Sequence, residues 1–298
     1  MDKKKTLREL LQKKQVFAPC IWDCFSARAV EMVGYEAMLL SGGALSMSMN
    51  GLPDLGITSR DEQVFATSRI ANAFPNMPII VDAEDGFGDG PLNVYHTCER
   101  LAQAGAMAIT IEDTMGIRGW DRVIANDEME NVVPVETWLA KLRAAMDAIK
   151  GTDCMLIART ESMWTLGLDD AIERCLRAED LGVDMTLILR LINMEQCEKV
   201  AKKVKGWKMY PDITTHNGIP DVSLDEIYEL GFNLVTIHYL EKGAMWGMLE
   251  YGKKNFENKN AWYSDEHDMG GLTKEEQQET YAFNNKMWFE RERKYWGK

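Results

Sequence analysis

Basic residues, paired cysteines and long apolar runs are all scarce in this sequence, and each scarcity argues against a class of function. Lysine and arginine number 34 against 47 aspartates and glutamates, for a net charge of −13. A nucleic-acid partner calls for a basic face, so the balance argues against one. An anionic ligand stays open, because a few local arginines or a metal ion can reverse the field inside a pocket. Six cysteines stand at 20, 24, 98, 154, 175 and 197. None forms a C-x-x-C pair, and Cys20 and Cys24 have no second Cys/His pair of zinc spacing. They read as free thiols in a reducing compartment. No apolar run approaches the ~18 residues of a membrane helix. The polar start, Met1-Asp2-Lys3-Lys4-Lys5-Thr6, lacks the apolar stretch of a secretory signal. A cytoplasmic protein with no membrane partner is expected.

What is present is a large apolar content, 46% of 298 residues. Eight short strand-like runs stand at 16–21, 37–41, 78–82, 106–111, 154–159, 185–189, 208–213 and 234–238. Several are apolar at consecutive positions, as parallel strands covered on both faces must be. Helical patterns lie between them, at 26–33, 59–73, 92–104, 136–149, 169–181, 194–204 and 224–230. Eight alternating strands and helices predict an α/β fold, a (β/α)₈ barrel. An open doubly wound sheet is the alternative. Its first turn would carry G-x-G-x-x-G, and Trp22-Asp23-Cys24-Phe25-Ser26 does not. The whole chain, 1–298, reads as a single barrel domain. A helix is expected over 1–14, the barrel to about residue 240, and a helical extension over about 241–298. That extension carries Trp246, Phe256, Trp262, Tyr263, Trp288 and Trp296, aromatics that need cover on the barrel or on a neighbouring subunit.

Barrel enzymes gather their chemistry at the carboxyl ends of the strands. Here the second strand ends in Ser41-Gly42-Gly43, the third in Asp82-Ala83-Glu84-Asp85-Gly86, the fourth in Glu112-Asp113 and the fifth in Arg159-Thr160-Glu161. Like charges on one rim repel unless a cation lies among them. A few carboxylates with water suit magnesium, with manganese the alternative ion. Asp82, Glu84 and Glu112 are the expected ligands. Arg159 could clamp a substrate carboxylate with its planar fork or pair with Glu112 or Glu161. His238, ending the eighth strand, is a further candidate for the pocket.

The stretch from Pro19 to Asp54, V-D-A-E-D-G-F-G at 81–88, I-E-D at 111–113 and I-A-R-T-E at 157–161 together resemble the isocitrate lyase and phosphoenolpyruvate mutase superfamily. The likeness is closest to its methylisocitrate-lyase-like branch and runs in order over about residues 7–250. It implies a metal-dependent enzyme that makes or breaks a bond beside a 2-oxo acid or its enolate. It further implies that Ser41, Gly42 and Gly43 bind the oxo-acid end, that Asp54 lies near the metal's outer shell, and that Asp82 is the most direct ligand. Helix-swapped dimers or tetramers are implied as well.

The sequence also departs from that pattern. The lyase branch carries a lid cysteine after I-E-D, and here the segment reads T-M-G-I-R-G-W-D-R. Asp121 is the acid that remains there, useful only if burial raises its pKa. The sixth strand ends in Arg190 rather than glutamate, and His216-Asn217 replaces part of another family stretch. Arg190, His216 and Asn217 are therefore candidate contacts to a different substrate. The expectation is a magnesium-dependent carbon–carbon lyase on a small 2-hydroxy or 2-oxo di- or tricarboxylate, with Arg159, Glu112 and Asp121 as catalytic candidates. The alternatives are an oxo-acid decarboxylase or hydrolase, a phosphorus–carbon mutase, or a non-catalytic oxo-acid-binding homologue.

Overall fold

The computed structural model describes residues 6–114, 132–216, 218–267 and 272–297. Among them, eight parallel strands close into a barrel: β1 (Val16–Ile21), β2 (Met38–Leu40), β3 (Ile79–Asp82), β4 (Ala108–Glu112), β5 (Met155–Thr160), β6 (Met185–Ile188), β7 (Trp207–Tyr210) and β10 (Phe232–Ile237). Each strand pairs with its neighbour in sequence, and β10 closes the ring against β1. The expected (β/α)₈ architecture is what the chain adopts. A two-stranded antiparallel hairpin, β8 (Thr215–His216) with β9 (Ile219–Pro220), interrupts the segment between β7 and β10.

Alternate residues of the strands point into the barrel. Val16, Ala18 and Cys20 of β1, Ile80 of β3, Met155 and Ile157 of β5 and Leu187 of β6 form one buried cluster. Leu7, Leu10 and Leu11 of α1 (Leu7–Leu11) join that cluster. They meet residues that open strands, such as Val16, Met155 and Met185, so α1 stoppers the amino-terminal end of the barrel. Thr6 caps this short helix in a reciprocal capping box with Glu9. The helix ends at Leu11 rather than at 14, and residues 1–5 of the expected span lie outside the described residues. Burying each leucine contributes about 1.5–3 kcal/mol.

The outward-facing strand residues pack under the helical layer. Trp138 of the helix Val135–Ala148 is fully buried there, and its indole N–H donates to the Ile111 carbonyl at 3.3 Å. β7 ends at Tyr210 rather than running to 213, because the next residue, Pro211, has no N–H to continue the ladder. β2 leads directly into a feature the hydrophobic pattern does not announce. Ser41 caps a four-residue helix, Gly42–Leu45, its hydroxyl accepting from the Ala44 N–H at 3.2 Å. A π-helical turn, Ser46–Asn50, follows and ends on Gly51 at φ 64.

The chain divides into two compact units. The barrel unit runs to His238, and the second takes residues 28–34 together with the chain from Tyr239. Helices Leu240–Asn258, Trp262–Glu266, Lys274–Glu279 and Asn285–Tyr295 make up most of the second unit. Within it Tyr263 stacks on His267, and the Arg28 guanidinium lies 4.6 Å from the centre of the Phe283 ring. These four helices contain no buried side chain; Trp246, Phe256 and Trp296 are all exposed. Among the described residues, no helix is long and apolar enough to cross a membrane.

Candidate active site

Strand alternation carries the apolar barrel interior upward into a charged rim. Above Ile80 on the inward side comes Asp82, above Ala108 come Thr110 and Glu112, and above Ile157 comes Arg159. The register sets Asp82 beside Thr110 and Glu112 beside Arg159. Asp82, Glu84 and Glu112 are all buried, and each offers a carboxylate oxygen within 4.8 Å of the others. Arg159 reaches all around the group. Its Nη1 lies 3.2 Å from Asp82 Oδ2, its Nη2 3.1 Å from Glu112 Oε2, and its Nε donates to Glu161 Oε1 at 3.0 Å. The ion-pair reading of Arg159 therefore holds for both glutamates and extends to Asp82. Two hydroxyls orient the carboxylates: Thr110 donates to Asp82 Oδ1 at 3.1 Å and Thr114 to Glu112 Oε1 at 2.6 Å. The Gln63 amide donates to the Asp82 carbonyl at 2.9 Å and fixes the end of β3.

Glu84 enters this rim by a different route. Its backbone sits at φ 51, in the left-handed region, which turns the chain out of the strand and back over it. The Glu84 carbonyl accepts the Glu112 N–H at 2.9 Å and ties the turn to β4. The glycines after β2 make room for it. A Cβ on Gly42 would overlap Glu84 Oε1, and one on Gly43 would come within 2.6 Å of Asp54 Cγ. Ser41-Gly42-Gly43, Asp54, Asp82, Glu84, Glu112 and Arg159 thus converge on one rim.

Asp85 and Asp113, beside these rim residues in sequence, face away. Lys141, buried in the helix Val135–Ala148, donates to the Asp85 carbonyl at 3.0 Å and lies 3.3 Å from Asp85 Oδ2. Asp113 accepts from the Thr160 hydroxyl at 2.6 Å, from the Glu161 N–H at 2.8 Å and from Arg174 at 3.2 Å. Burial pushes the Asp113 carboxyl up to about 6, against the pull of those donors. These contacts brace β4 against β5 and hold Glu161 in place.

A cavity of about 660 Å³ opens beside Asp54, at the carboxyl ends of β6, β7 and β10. Arg190 lines it, with its guanidinium 4.2 Å from the centre of the Trp164 ring. His238 lines it too, its Nδ1 lying 3.1 Å from Asp212 Oδ1.

The family model described as phosphoenolpyruvate phosphomutase matches residues 7–252 of this chain. The chain belongs to the phosphoenolpyruvate mutase family. It is 33% identical over 235 residues to the petal death protein of Dianthus caryophyllus, covering 78% of this chain and 72% of that one. It is 30% identical to the 2,3-dimethylmalate lyase of Eubacterium barkeri, covering 78% of both chains. A crystal structure of 2,3-dimethylmalate lyase, a phosphoenolpyruvate mutase/isocitrate lyase superfamily member, superposes with a TM-score of 0.81 at 26% identity. That superposition covers 96% of this chain and 97% of the other.

Not every expected site residue of this family member falls on the rim. Arg190 lines the cavity, whose described lining includes Asp54 but not Asp82, Glu84 or Glu112. His216 contributes its backbone to β8, while Asp121 and Asn217 lie outside the described residues. The sequence reading missed Gln63, Thr110, Lys141 and Arg174. For two of them a signal existed. Lys141 interrupts the apolar stripe of Trp138, Leu139, Leu142 and Ala145, and Arg174 stands among Ala171, Ile172, Cys175 and Ala178. A charged residue inside a buried stripe needs a buried partner.

Proposed function

We propose that this chain is a magnesium-dependent lyase that cleaves a carbon–carbon bond in a small 2-hydroxy or 2-oxo carboxylate. The observation that carries the proposal is the buried Asp82–Glu84–Glu112 group. Among the described residues, Asp82, Glu112 and Glu161 pair with the Arg159 guanidinium, and Glu84 adds a further buried carboxylate. An oxygen-rich donor set with that excess of negative charge fits a hard dication such as magnesium, or manganese in its place. Asp82 would hold the ion directly, Glu84 and Glu112 mainly through water, and Asp54 from the outer shell. A bound dication supplies Lewis-acid stabilisation to negative charge developing on the substrate's 2-oxygen.

The protein's own groups do the rest. The Ser41 side chain and the N–H groups of Gly42 and Gly43 receive the oxo-acid end, which glycine lets approach closely. Arg159, its planar guanidinium fixed in orientation by its carboxylate partners, orients a substrate carboxylate. Glu112 and Asp121 are the candidates for moving a proton, and Arg190, His216 and Asn217 for contacts farther along the substrate. The kinship to a 2,3-dimethylmalate lyase supports a substituted dicarboxylate and C–C cleavage. The segment 115–131 carries neither cysteine nor histidine, which favours a second reading, an oxo-acid decarboxylase or hydrolase on the same rim. General acid/base help is worth ~10²–10⁴-fold, so turnover of isocitrate and methylisocitrate is expected to be slow. Cysteines outside disulfides, five of them buried, fit work in the reducing cytoplasm. The exposed aromatics of the second unit fit exchange of its helices between subunits of a dimer or tetramer.

The deciding experiment strips metal with chelator, restores magnesium, and follows oxalate binding. Product formation is assayed alongside, from isocitrate, methylisocitrate, substituted malates, oxaloacetate and phosphonopyruvate. Metal-dependent oxalate binding with cleavage of a substituted malate is expected. Oxalate binding unchanged after complete chelation would refute the metal reading. Fast methylisocitrate cleavage, insensitive to Asp121→Asn, would refute the proton-transfer reading.

A further inference from the structure

The acid that follows each of two rim glutamates in sequence is held from the helical layer. Asp113, after Glu112, pairs with Arg174, and Asp85, after Glu84, pairs with Lys141. The second pair has the harder task, because Glu84 does not lie on a strand. β3 ends at Asp82. Glu84 stands in a turn whose backbone is left-handed at Glu84 (φ 51), Gly86 (φ 93) and Phe87 (φ 58). Two of those three residues carry side chains, for which that conformation is costly. Such a turn persists where its surroundings over-determine it.

Lys141 is the charged part of those surroundings. It stands on the helix Val135–Ala148 among Trp138, Leu139, Leu142 and Ala145, and its side chain is 2% exposed. Its ammonium donates to the Asp85 carbonyl at 3.0 Å and meets Asp85 Oδ2 at 3.3 Å. The other oxygen of that carboxylate, Oδ1, accepts the Phe87 N–H at 2.9 Å. The next peptides are tied down as well. The Gly86 N–H donates to the Ala83 carbonyl, the Thr97 hydroxyl to the Gly86 carbonyl and the Glu112 N–H to the Glu84 carbonyl, each at 2.9 Å. A buried ammonium carries a large desolvation cost, and a neutral side chain would fill the apolar stripe without it. Both described hydrogen bonds of the ammonium go to Asp85, the residue next to Glu84. Fixing the carbonyl and the carboxylate of Asp85 fixes the backbone torsions that aim Glu84 at Asp82 and Glu112.

We propose that Lys141 is a positioning residue for the metal group. Through Asp85 it locks the turn that carries Glu84, so magnesium affinity depends on a lysine that is not itself a ligand. The inference rests on the reading that the carboxylate rim holds a dication.

Two measurements test it: calorimetry for magnesium affinity, and hydrogen exchange with chelator present for the turn without metal. Lys141→Met should weaken magnesium binding at least about tenfold, as loss of a group that orients a ligand does. Adding Asp85→Asn leaves no stranded charge, so the double variant folds where the single one is weak, and it should show the same loss. In a Glu84→Gln background Lys141→Met should add less than about twofold, because its effect passes through Glu84. In the metal-free protein the Phe87 and Glu112 amides should exchange faster in both Lys141 variants. Lys208→Met is the control for general destabilisation. Lys208 is comparably buried but bonds the Val204 and Gly206 carbonyls, and its loss should leave magnesium affinity unchanged. Wild-type magnesium affinity in the neutral double variant, or a loss undiminished in the Glu84→Gln background, would overturn the inference while the metal reading stands. A wild-type protein that binds no magnesium would overturn the metal reading and the inference with it, and the two failures are thereby separated.

Discussion

Gly42→Ala is the smallest change that reaches the carboxylate rim. The new Cβ would overlap Glu84 Oε1, lie 3.1 Å from its Cδ and stand 3.8 Å from Asp82 Oδ2. Glu84 has little freedom to retreat. It is 6% exposed, its backbone is held at φ 51, and its carbonyl is bonded to the Glu112 N–H. The carboxylate must therefore rotate out of its place in the triad while the turn stays put. Disturbing the groups that orient a metal site typically costs ~10–100-fold in affinity. At magnesium one hundred times the wild-type Kd, binding stabilises the fold by about 2.7 kcal/mol. With Kd raised ~10–100-fold, the same concentration contributes about 1.4 to 0.4 kcal/mol. Each kcal/mol moves the melting temperature of a domain this size by about 2–4 °C. A magnesium-induced rise of about 5–11 °C in the wild type should shrink to about 1–6 °C in the variant. Gly243→Ala is the control, because a Cβ there meets nothing within 4 Å. Scanning calorimetry with and without chelator reads all three proteins. A wild-type-sized magnesium shift in Gly42→Ala would refute the reasoning.

Other consequences can be measured directly. Lys208 is 3% exposed and donates to the Val204 and Gly206 carbonyls, and burial pushes its ammonium down to about 8. Between about pH 8 and 10.5 the unfolded chain therefore binds more protons than the folded one, and stability rises with pH by up to about 3 kcal/mol. Lys208→Met should flatten that rise in urea titrations, and parallel wild-type and variant curves would exclude the effect. Lys141→Met strands Asp85, whose side chain keeps 24% exposure. It should cost about 3 kcal/mol, the low end for a broken buried pair, and a loss under about 1 kcal/mol in urea unfolding would mean that water replaces the lysine. Deleting the chain from about residue 255 should give smaller, poorly soluble species in light scattering, whereas an intact, well-behaved oligomer would count against helix exchange.

The order of the strands was legible because parallel strands are buried on both faces, and such runs stand out without any alternation to detect. The charged strand ends were legible for the same reason: an acid or arginine closing an apolar run has few places to be except a rim. Which acids share the rim is a finer question, and alternation answers it only while the chain remains extended. Asp82, Glu112 and Arg159 obey it, continuing the inward positions Ile80, Thr110 and Ile157. Asp113 obeys it too, one residue past Glu112 and turned outward to Thr160 and Arg174. Glu84 sits two residues past Asp82, and simple counting would place it inward as well, yet β3 has already ended at Asp82. What returns Glu84 to the site is its left-handed backbone and the space left by Gly42. The turn is set by contacts with β4 and with the loop after β2, elements 28 and 42 positions away in sequence. Local pattern carries no record of such contacts, and the same holds for Arg190, whose left-handed backbone at φ 70 sets its guanidinium over Trp164. Where a family member keeps its strands and rewrites its strand ends, the rewritten residues act through turns of this kind, and only the folded chain shows where they point.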